Sequence, residues 1–429
     1  MNVTQEKYGI SARGTARLLA LLVAVVGVRS GLALGQSADR LEFSEEVIAG
    51  GPDDFMTVRH VMLKGTNRAI GKKLAEIAKT RHGTKPADED AALVQARWDF
   101  YKQTYPIHYE RSLGVAEVYG LTPASPKETM SLSYNADVLP GCSVVYYPPS
   151  STECGHGLLS RNYDFTVGSF AGMLGMRAPP DSRPMNADPY VFEIYPDKGY
   201  PSLYICSNEL LGGATDGVNS KGLCVAILAN HDPKLPAPVK GLHAGLSEIE
   251  ICRFLLDTCA TVEEAKAALG KVKTYYCFLP CHYIVGDRSG HSFIWEYSGP
   301  DNQLHFLDGE GRPQVITNHP LHAASSSESA PQGFSPQDTF LRYRRMKKEI
   351  AKGGDKLSLD TIKKTNTCVM VPVQRPSPGE NTERTLSHSI YDCQNSAMDA
   401  DFYLGDEPGP DGRMHQKRSG YKRIALKAS

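Results

Sequence analysis

The chain carries no surplus of charge of either sign: 47 Lys and Arg stand against 48 Asp and Glu in 429 residues. No basic stripe with interleaved aromatics runs through it, which argues against nucleic acid as a partner. No Cys-x-x-Cys spacing occurs among its ten cysteines, so the usual zinc and redox patterns are missing. No internal repeat is visible. The apolar run Leu18 to Val28, "LLALLVAVVGV", falls well short of the roughly 20 residues that a helix needs to span a bilayer, and Arg29 ends it. No cysteine follows that run closely, so a bacterial-type lipid attachment is not expected.

What is present at the N-terminus is an address. Arg13 and Arg17 precede the apolar run and the small residues "SGLALGQS" follow it, the pattern of a cleaved secretory signal over residues 1–35. The expected location is outside the cytoplasm, periplasmic or secreted, without stable membrane insertion. An uncleaved N-terminal anchor is the alternative. In an exported chain ten cysteines raise the question of disulfides. Cys252, Cys259, Cys277 and Cys281 lie close in sequence, and two readings stand side by side: a bridge among them, or small buried apolar side chains.

The chain changes character near residue 142. Before it, residues from roughly 40 to 125 read as helical. "GTNRAIGKKLAEIAKTRHG" has Thr66 or Asn67 as cap and Ile70, Leu74, Ile77 and Ala78 on one face. A second helix follows "KPADED", Pro106 should break or kink it, and Gly120 ends the next stretch. After it come short strands. "CSVVYY" and "HGLLSRNYDF" form a hairpin around the turn "PPSSTECG". "DGVNSKGLCVAILAN" is a polar turn and a strand, with Asp216, Asn219 and Gly222 shaping the turn. The segment "LSEIEICRFLLDTCATVEEAKAALGKV" is a helix pair, the second capped by Thr261. His282 and Glu296 sit on strands and read as packing or supporting residues. The last residues, 407–429, read as a flexible basic tail.

Cys142 heads the hairpin directly after Gly141. A thiol nucleophile needs a base for its proton and donors for an oxyanion. The nearest histidine in sequence, His156, lies in the turn, and no Cys-His pair declares itself. Cutting the Gly141–Cys142 bond would give Cys142 a base of its own, a free α-amino group with a pKa near ~8. Glycine leaves its carbonyl open to the adjacent thiol and tolerates a strained backbone. Taken alone, the dipeptide fits the start of a buried strand equally well.

Further stretches follow in order: "SRNYDF" at 160–165, "DGVNSKGLCVAILAN" at 216–230, "HYIVGDRSGHSFIWEYS" at 282–298, "VITNHP" at 315–320 and "TFLRYRR" at 339–345. Together with "GCS" at 141–143 and the helix pair at 246–272, they resemble the choloylglycine hydrolase, penicillin V acylase and isopenicillin N acyltransferase group of N-terminal nucleophile hydrolases. The segment from "RHVMLKGTNRAIG" to Cys142 is similar to the longer pro-segment of the acyltransferase branch. The resemblance covers nearly all of residues 55–406.

It implies an α+β fold, a four-layer αββα sandwich with a helical N-terminal pro-segment over 36–141 and a catalytic domain over 142–406. It further implies self-cleavage between Gly141 and Cys142, with Cys142 as nucleophile and Arg161 and Asp164 flanking it. The Asp164 carboxylate would hold the α-amino group, Asn318 is an active-site asparagine, and Asn230 provides the oxyanion hole with a backbone N–H. Arg342 is a late arginine of the site, beside Arg344 and Arg345. Uncharged amide donors suit a transient oxyanion, and an Arg–Asp pair in a cleft is preorganised. The aromatic residues Tyr146, Tyr147, Tyr163 and Phe165 suit an apolar acyl group. The substrate class is a small-molecule amide; no metal and no cofactor are implied, and a homo-oligomer is left open. The spacing from the cysteine to "RNYD" is three residues longer than in bile salt hydrolases, and Asn230 sits one residue later than the family pattern expects. Two rival readings are a non-catalytic secreted binding module on the same fold and a redox or metal protein built on the Cys252 to Cys281 cluster.

Overall fold

The computed structural model describes residues 40–134, 141–168, 184–232, 234–239, 241, 243–299, 302–322, 339–373 and 382–427. The expected signal segment lies outside these residues.

The N-terminal segment opens with strands, contrary to the helical expectation: Glu42–Gly50 and Thr57–Gly65 pair antiparallel. "EFSEEVIAG" has no 3.6-residue apolar period, and it puts three glutamates on a sheet edge, where charge discourages further pairing. Helices then follow as the capping signals predict. Thr66 accepts a hydrogen bond from the Ala69 N–H at the start of Asn67–His82, and Asp90 caps Ala91–Thr104. Pro106 takes the first position of Pro106–Val118, where its missing N–H costs nothing, so it separates two helices.

Two sheets organise the rest. A nine-stranded sheet runs Glu42–Gly50, Thr57–Gly65, Tyr190–Pro196, Ser202–Cys206, Asp216–Asn219, Cys224–Ala229, Cys281–Gly286, Ser292–Ser298, Gln303–Asp308. The seven-stranded sheet runs Gln314–Ile316, Gly141–Tyr147, Leu158–Thr166, Glu383–Asp392, Ala397–Pro408, with Met414–Arg418 and Lys422–Ala425 both pairing with the last of these. Strand alternation gives each sheet two apolar faces, and three cores fill the gaps. Leu74, Trp98, Tyr101, Phe254 and Leu255 pack between helices and the nine-stranded sheet. Cys142, Val144, Tyr146, Ala226 and Ile284 pack between the sheets. Val145, Tyr147, Met346 and Ile362 pack between the seven-stranded sheet and the helices Thr339–Lys352 and Leu359–Thr367. The architecture is a four-layer αββα sandwich of the α+β class.

Residues 39–429 form one compact unit, in which the segment before Cys142 shares sheets and core with the segment after it. One further expectation changes. The expected flexible basic tail is paired structure: Met414–Arg418 and Lys422–Ala425 extend the seven-stranded sheet. Backbone pairing with Ala397–Pro408 holds it, and Arg418 adds a bond to Asp401 while Lys422 and Arg423 stay exposed as befits an edge. Among the described residues no helix is long and apolar enough to cross a membrane.

Candidate active site

Cys142 lies second on the strand Gly141–Tyr147, which pairs on one side with Leu158–Thr166 and on the other with Gln314–Ile316. The first pairing sets Gly141 opposite Asp164 and Cys142 opposite Tyr163. A side chain at position 141 would meet the Asp164 Cβ at 3.2 Å, so glycine lets the carboxylate lie against the Gly141–Cys142 junction. The second pairing matches Ile316 to Val144, and its continuation brings Asn318 across from Cys142.

Three polar atoms of Cys142 are each engaged. Its backbone N–H donates to Asn318 Oδ1 at 2.9 Å, its carbonyl accepts from Arg342 Nη1 at 2.5 Å, and Arg161 Nη2 reaches its Sγ at 3.4 Å. Arg342 Nη2 also donates to Asn318 Oδ1 at 2.7 Å. Asn318 Nδ2 donates to the Ala229 carbonyl at 2.8 Å, and the His231 N–H donates to the Asn318 carbonyl at 2.7 Å. Asn318 thereby stitches the Cys142 strand to the end of a strand in the other sheet. Burial pushes the Cys142 thiol up, against the pull of Arg161 and Arg342.

Arg161 and Asp164 fall on opposite faces of their strand, because side chains alternate and the two stand three residues apart. The expected pairing between them is therefore not made. Arg161 instead meets Asp216, Nη1 to Oδ1 at 2.5 Å, and both are fully buried. Asp216 also accepts from Thr215 and Ser389 (2.5 Å each) and from Tyr391 (3.0 Å). Burial is the largest influence and opposes the Arg161 charge, but Asp216, Cys142 and Tyr163 together outweigh it and keep the guanidinium protonated. Asp216 is thus a strand residue and the counter-ion of the site, not a turn former; Asn219 and Gly222 do shape the turn, Asn219 Oδ1 accepting from Lys221 N–H and Leu223 N–H. "DGVNSKG" reads locally as a turn, and the one signal for Asp216 was a carboxylate at the head of a buried strand.

Asp164 is buried, with Oδ1 accepting from Thr385 at 2.5 Å, Oδ2 without a hydrogen-bond partner, and Arg342 Nη1 3.9 Å away. Burial raises its carboxyl to about 6, with Arg342 and Thr385 pulling the other way. Asn230 follows the strand Cys224–Ala229; its Oδ1 accepts from Asp232 N–H, and its Nδ2 is buried without a partner. An unsatisfied buried donor of this kind suits a charge that appears only during reaction.

Arg161, Tyr163 and Phe165 line a cavity together with Ile227, Ala229 and Leu279. Tyr146 does not: it packs between the sheets against Gly286, its hydroxyl donating to the Asp287 carbonyl at 2.5 Å. The reason is register, since Tyr146 lies four residues along the strand from Cys142. Below the Asn318 loop, Glu296 accepts from the N–H groups of Leu321 and His322 and from both His282 and His322 side chains at 2.9–3.0 Å. Burial works against its charge, yet those hydrogen bonds hold its carboxyl down at about 2. All ten cysteines are free thiols, and Cys252, Cys259 and Cys281 belong to the core between helices and sheet. Among the described residues no group of three or more His, Cys, Asp or Glu is arranged to hold a metal ion.

The family model described as acyl-coenzyme A:6-aminopenicillanic acid acyl-transferase matches residues 151–407. The chain belongs to that family. As an acyl-transferase family chain of the N-terminal nucleophile group, it is an enzyme of amidohydrolase or acyltransferase kind. Similar solved structures include penicillin V acylase from Agrobacterium tumefaciens, with 20% identity and a TM-score of 0.42 over 61% of this chain and 82% of that one. A mutant of conjugated bile acid hydrolase from Clostridium perfringens has 16% identity and a TM-score of 0.42 over 67% of this chain and 97% of that one. No curated protein matches the chain.

Proposed function

We propose that the chain cleaves itself between Gly141 and Cys142 and then uses Cys142 to break, or remake, the C–N bond of linear N-acyl amides. In the first reaction Sγ attacks the Gly141 carbonyl, the peptide C–N bond breaks, and the nitrogen becomes the α-amino group of Cys142. Water then hydrolyses the resulting thioester and leaves Gly141 as a carboxylate. In turnover the thiol proton passes to that amine and Sγ attacks the substrate carbonyl. The oxyanion is received by Asn230 Nδ2, and the leaving amine takes the proton as the thioester forms. Water or an acceptor amine resolves it, and the choice decides between hydrolysis and transfer.

The observation that carries this reading is the three-point grip on Cys142: Asn318 on its nitrogen, Arg342 on its carbonyl, Arg161 on its sulfur. A structural cysteine at the start of a buried strand needs none of these contacts, and burying guanidinium groups beside it is costly unless they are paired, as Arg161 is with Asp216, or serve the reaction. The two unpaired atoms, Asp164 Oδ2 and Asn230 Nδ2, fit the same reading. A released ammonium at Cys142 would give the carboxylate its missing partner. The proposed substrate is a small amide with an apolar acyl group against Tyr163 and Phe165, needing no cofactor, and the proposed setting is outside the cytoplasm.

Intact mass of the purified protein tests the first step. Two fragments are expected, the larger beginning at Cys142, while Cys142→Ala remains one chain. An active protein that remains a single uncut chain would overturn the proposal.

A further inference from the structure

Two cysteines outside the site meet across the sandwich. Cys224 opens the strand Cys224–Ala229 of the nine-stranded sheet, and Cys393 follows the strand Glu383–Asp392 of the seven-stranded sheet. Both are fully buried in the core between the sheets, and their Sγ atoms stand 3.3 Å apart. The backbone holds them there: Cys393 N–H donates to the Gly157 carbonyl at 2.9 Å, and Cys224 is paired with Gly286 in the sheet. A disulfide needs its sulfurs at about 2.05 Å, so the pair must close by only about 1.3 Å, a side-chain adjustment.

We propose that Cys224 and Cys393 form an inter-sheet disulfide as the chain folds in the presence of a small-molecule or protein disulfide. One thiol loses its proton and attacks the oxidant, expelling one thiolate and forming a mixed disulfide. The second thiol, also giving up its proton, attacks the mixed disulfide and expels the other half of the oxidant. Two electrons and two protons pass to the oxidant, and the Sγ–Sγ bond remains. Contact with Cys224, together with burial, pushes the Cys393 thiol well up, and burial closes both sulfurs off from an oxidant in the folded protein. The bond therefore forms while the sheets are still closing.

The bond would tie two strands that carry residues of the site. Cys224 lies about 16 Å by strand rise from Ala229, beside Asn230. The strand before Cys393 carries Tyr391 and Ser389 on Asp216 and Thr385 on Asp164. Closing the 169-residue separation between the two cysteines restricts the unfolded chain strongly, so the gain appears as stability.

The test refolds denatured, reduced Cys142→Ala protein either with oxidised glutathione or with reductant alone; that background removes the candidate nucleophile as a competing thiol. The oxidised sample should be lighter by about 2 Da, the two hydrogens lost. A non-reducing peptide map should join the Cys224 peptide to the Cys393 peptide, and the thermal midpoint should rise by several degrees over the reduced sample. Cys393→Ser should abolish all three changes, whereas Cys252→Ser, in the helix-facing core, should keep them. Free thiols at 224 and 393 after oxidative refolding, or a cross-link to other cysteines instead, would overturn the proposal. Should the Cys393 variant fail to fold, the peptide map of the Cys142→Ala protein decides alone.

Discussion

Asp164 is a carboxylate left half satisfied: Thr385 serves one oxygen, and the other has only Arg342 at 3.9 Å. Burial lifts it from its ordinary 3.8 to about 6, so the folded protein binds that proton more tightly than the unfolded chain does. Its ionisation therefore opposes folding. The penalty is absent below about pH 4, grows through the window between the two values, and is complete above about pH 6, on the order of 3 kcal/mol. In the uncleaved Cys142→Ala protein, adding Asp164→Asn should raise stability near pH 7 by up to that amount and change little near pH 4. Urea midpoints across that range measure it, and parallel curves for the two proteins would show that Asp164 is compensated. Asp216 stands in the opposite situation. Asp216→Asn leaves the Arg161 charge buried without its counter-ion, and breaking such a pair costs about 3–5 kcal/mol. The double variant Arg161→Met/Asp216→Asn should recover part of that loss in denaturant unfolding, because no orphaned charge remains. Additive losses would mean that the pair is not the reason.

The elements were legible where their signals are local. The hairpin around Cys142 follows from two short strand-forming runs on either side of a proline-rich turn, and the first helix from Thr66 as its cap. The strand Glu42–Gly50 was not legible, since an edge strand studded with glutamate lacks both the alternation and the helical period, and its interior partner Thr57–Gly65 was absorbed into the helical reading of the residues after it. Asp216 was hidden because its partner Arg161 lies 55 residues away in sequence. The C-terminal strands were hidden because their support is backbone pairing, which any sequence makes, beneath a basic surface. The two C-terminal strands cover the strand Ala397–Pro408. Tyr421 bonds His388 at 2.7 Å and Arg418 bonds Asp401 at 2.8 Å, and Phe402, Tyr403 and Leu404 lie buried on the strand beneath. Ending the chain after Pro408 would bare that strand's edge together with its apolar residues. The truncated protein should lose solubility and unfold at lower denaturant than the full chain. Unchanged midpoint and solubility would restore the tail to a solvated appendage.

At the scale of the whole molecule, the residues ahead of Cys142 are structural members, whatever happens at the Gly141 bond. They supply two strands of the nine-stranded sheet, and Thr57–Gly65 pairs in parallel with Tyr190–Pro196 along its full length. Their helices share one apolar core with the helix Ile251–Thr258. Arg111 donates to both oxygens of Asp257, at 2.5 and 3.1 Å, with both residues fully buried, and Tyr105 bonds the same carboxylate. Glu209 accepts the Leu132 N–H as well as those of Leu211 and Gly212, binding the end of the early segment to the later chain. Removing the early segment would expose that core and leave Asp257 with Arg253 as its remaining ion-pair partner. Cutting one backbone bond removes none of these contacts. The two fragments should therefore co-elute as a single species of unsplit mass under native conditions and separate only in denaturant. Asp257→Ala should lower the denaturant concentration at which they part, because it strands two buried guanidinium groups at the seam. Dialysis that sheds the small fragment while the large one keeps its cooperative unfolding transition would show that the later chain folds alone, and that the shared sheet and core are not what holds it.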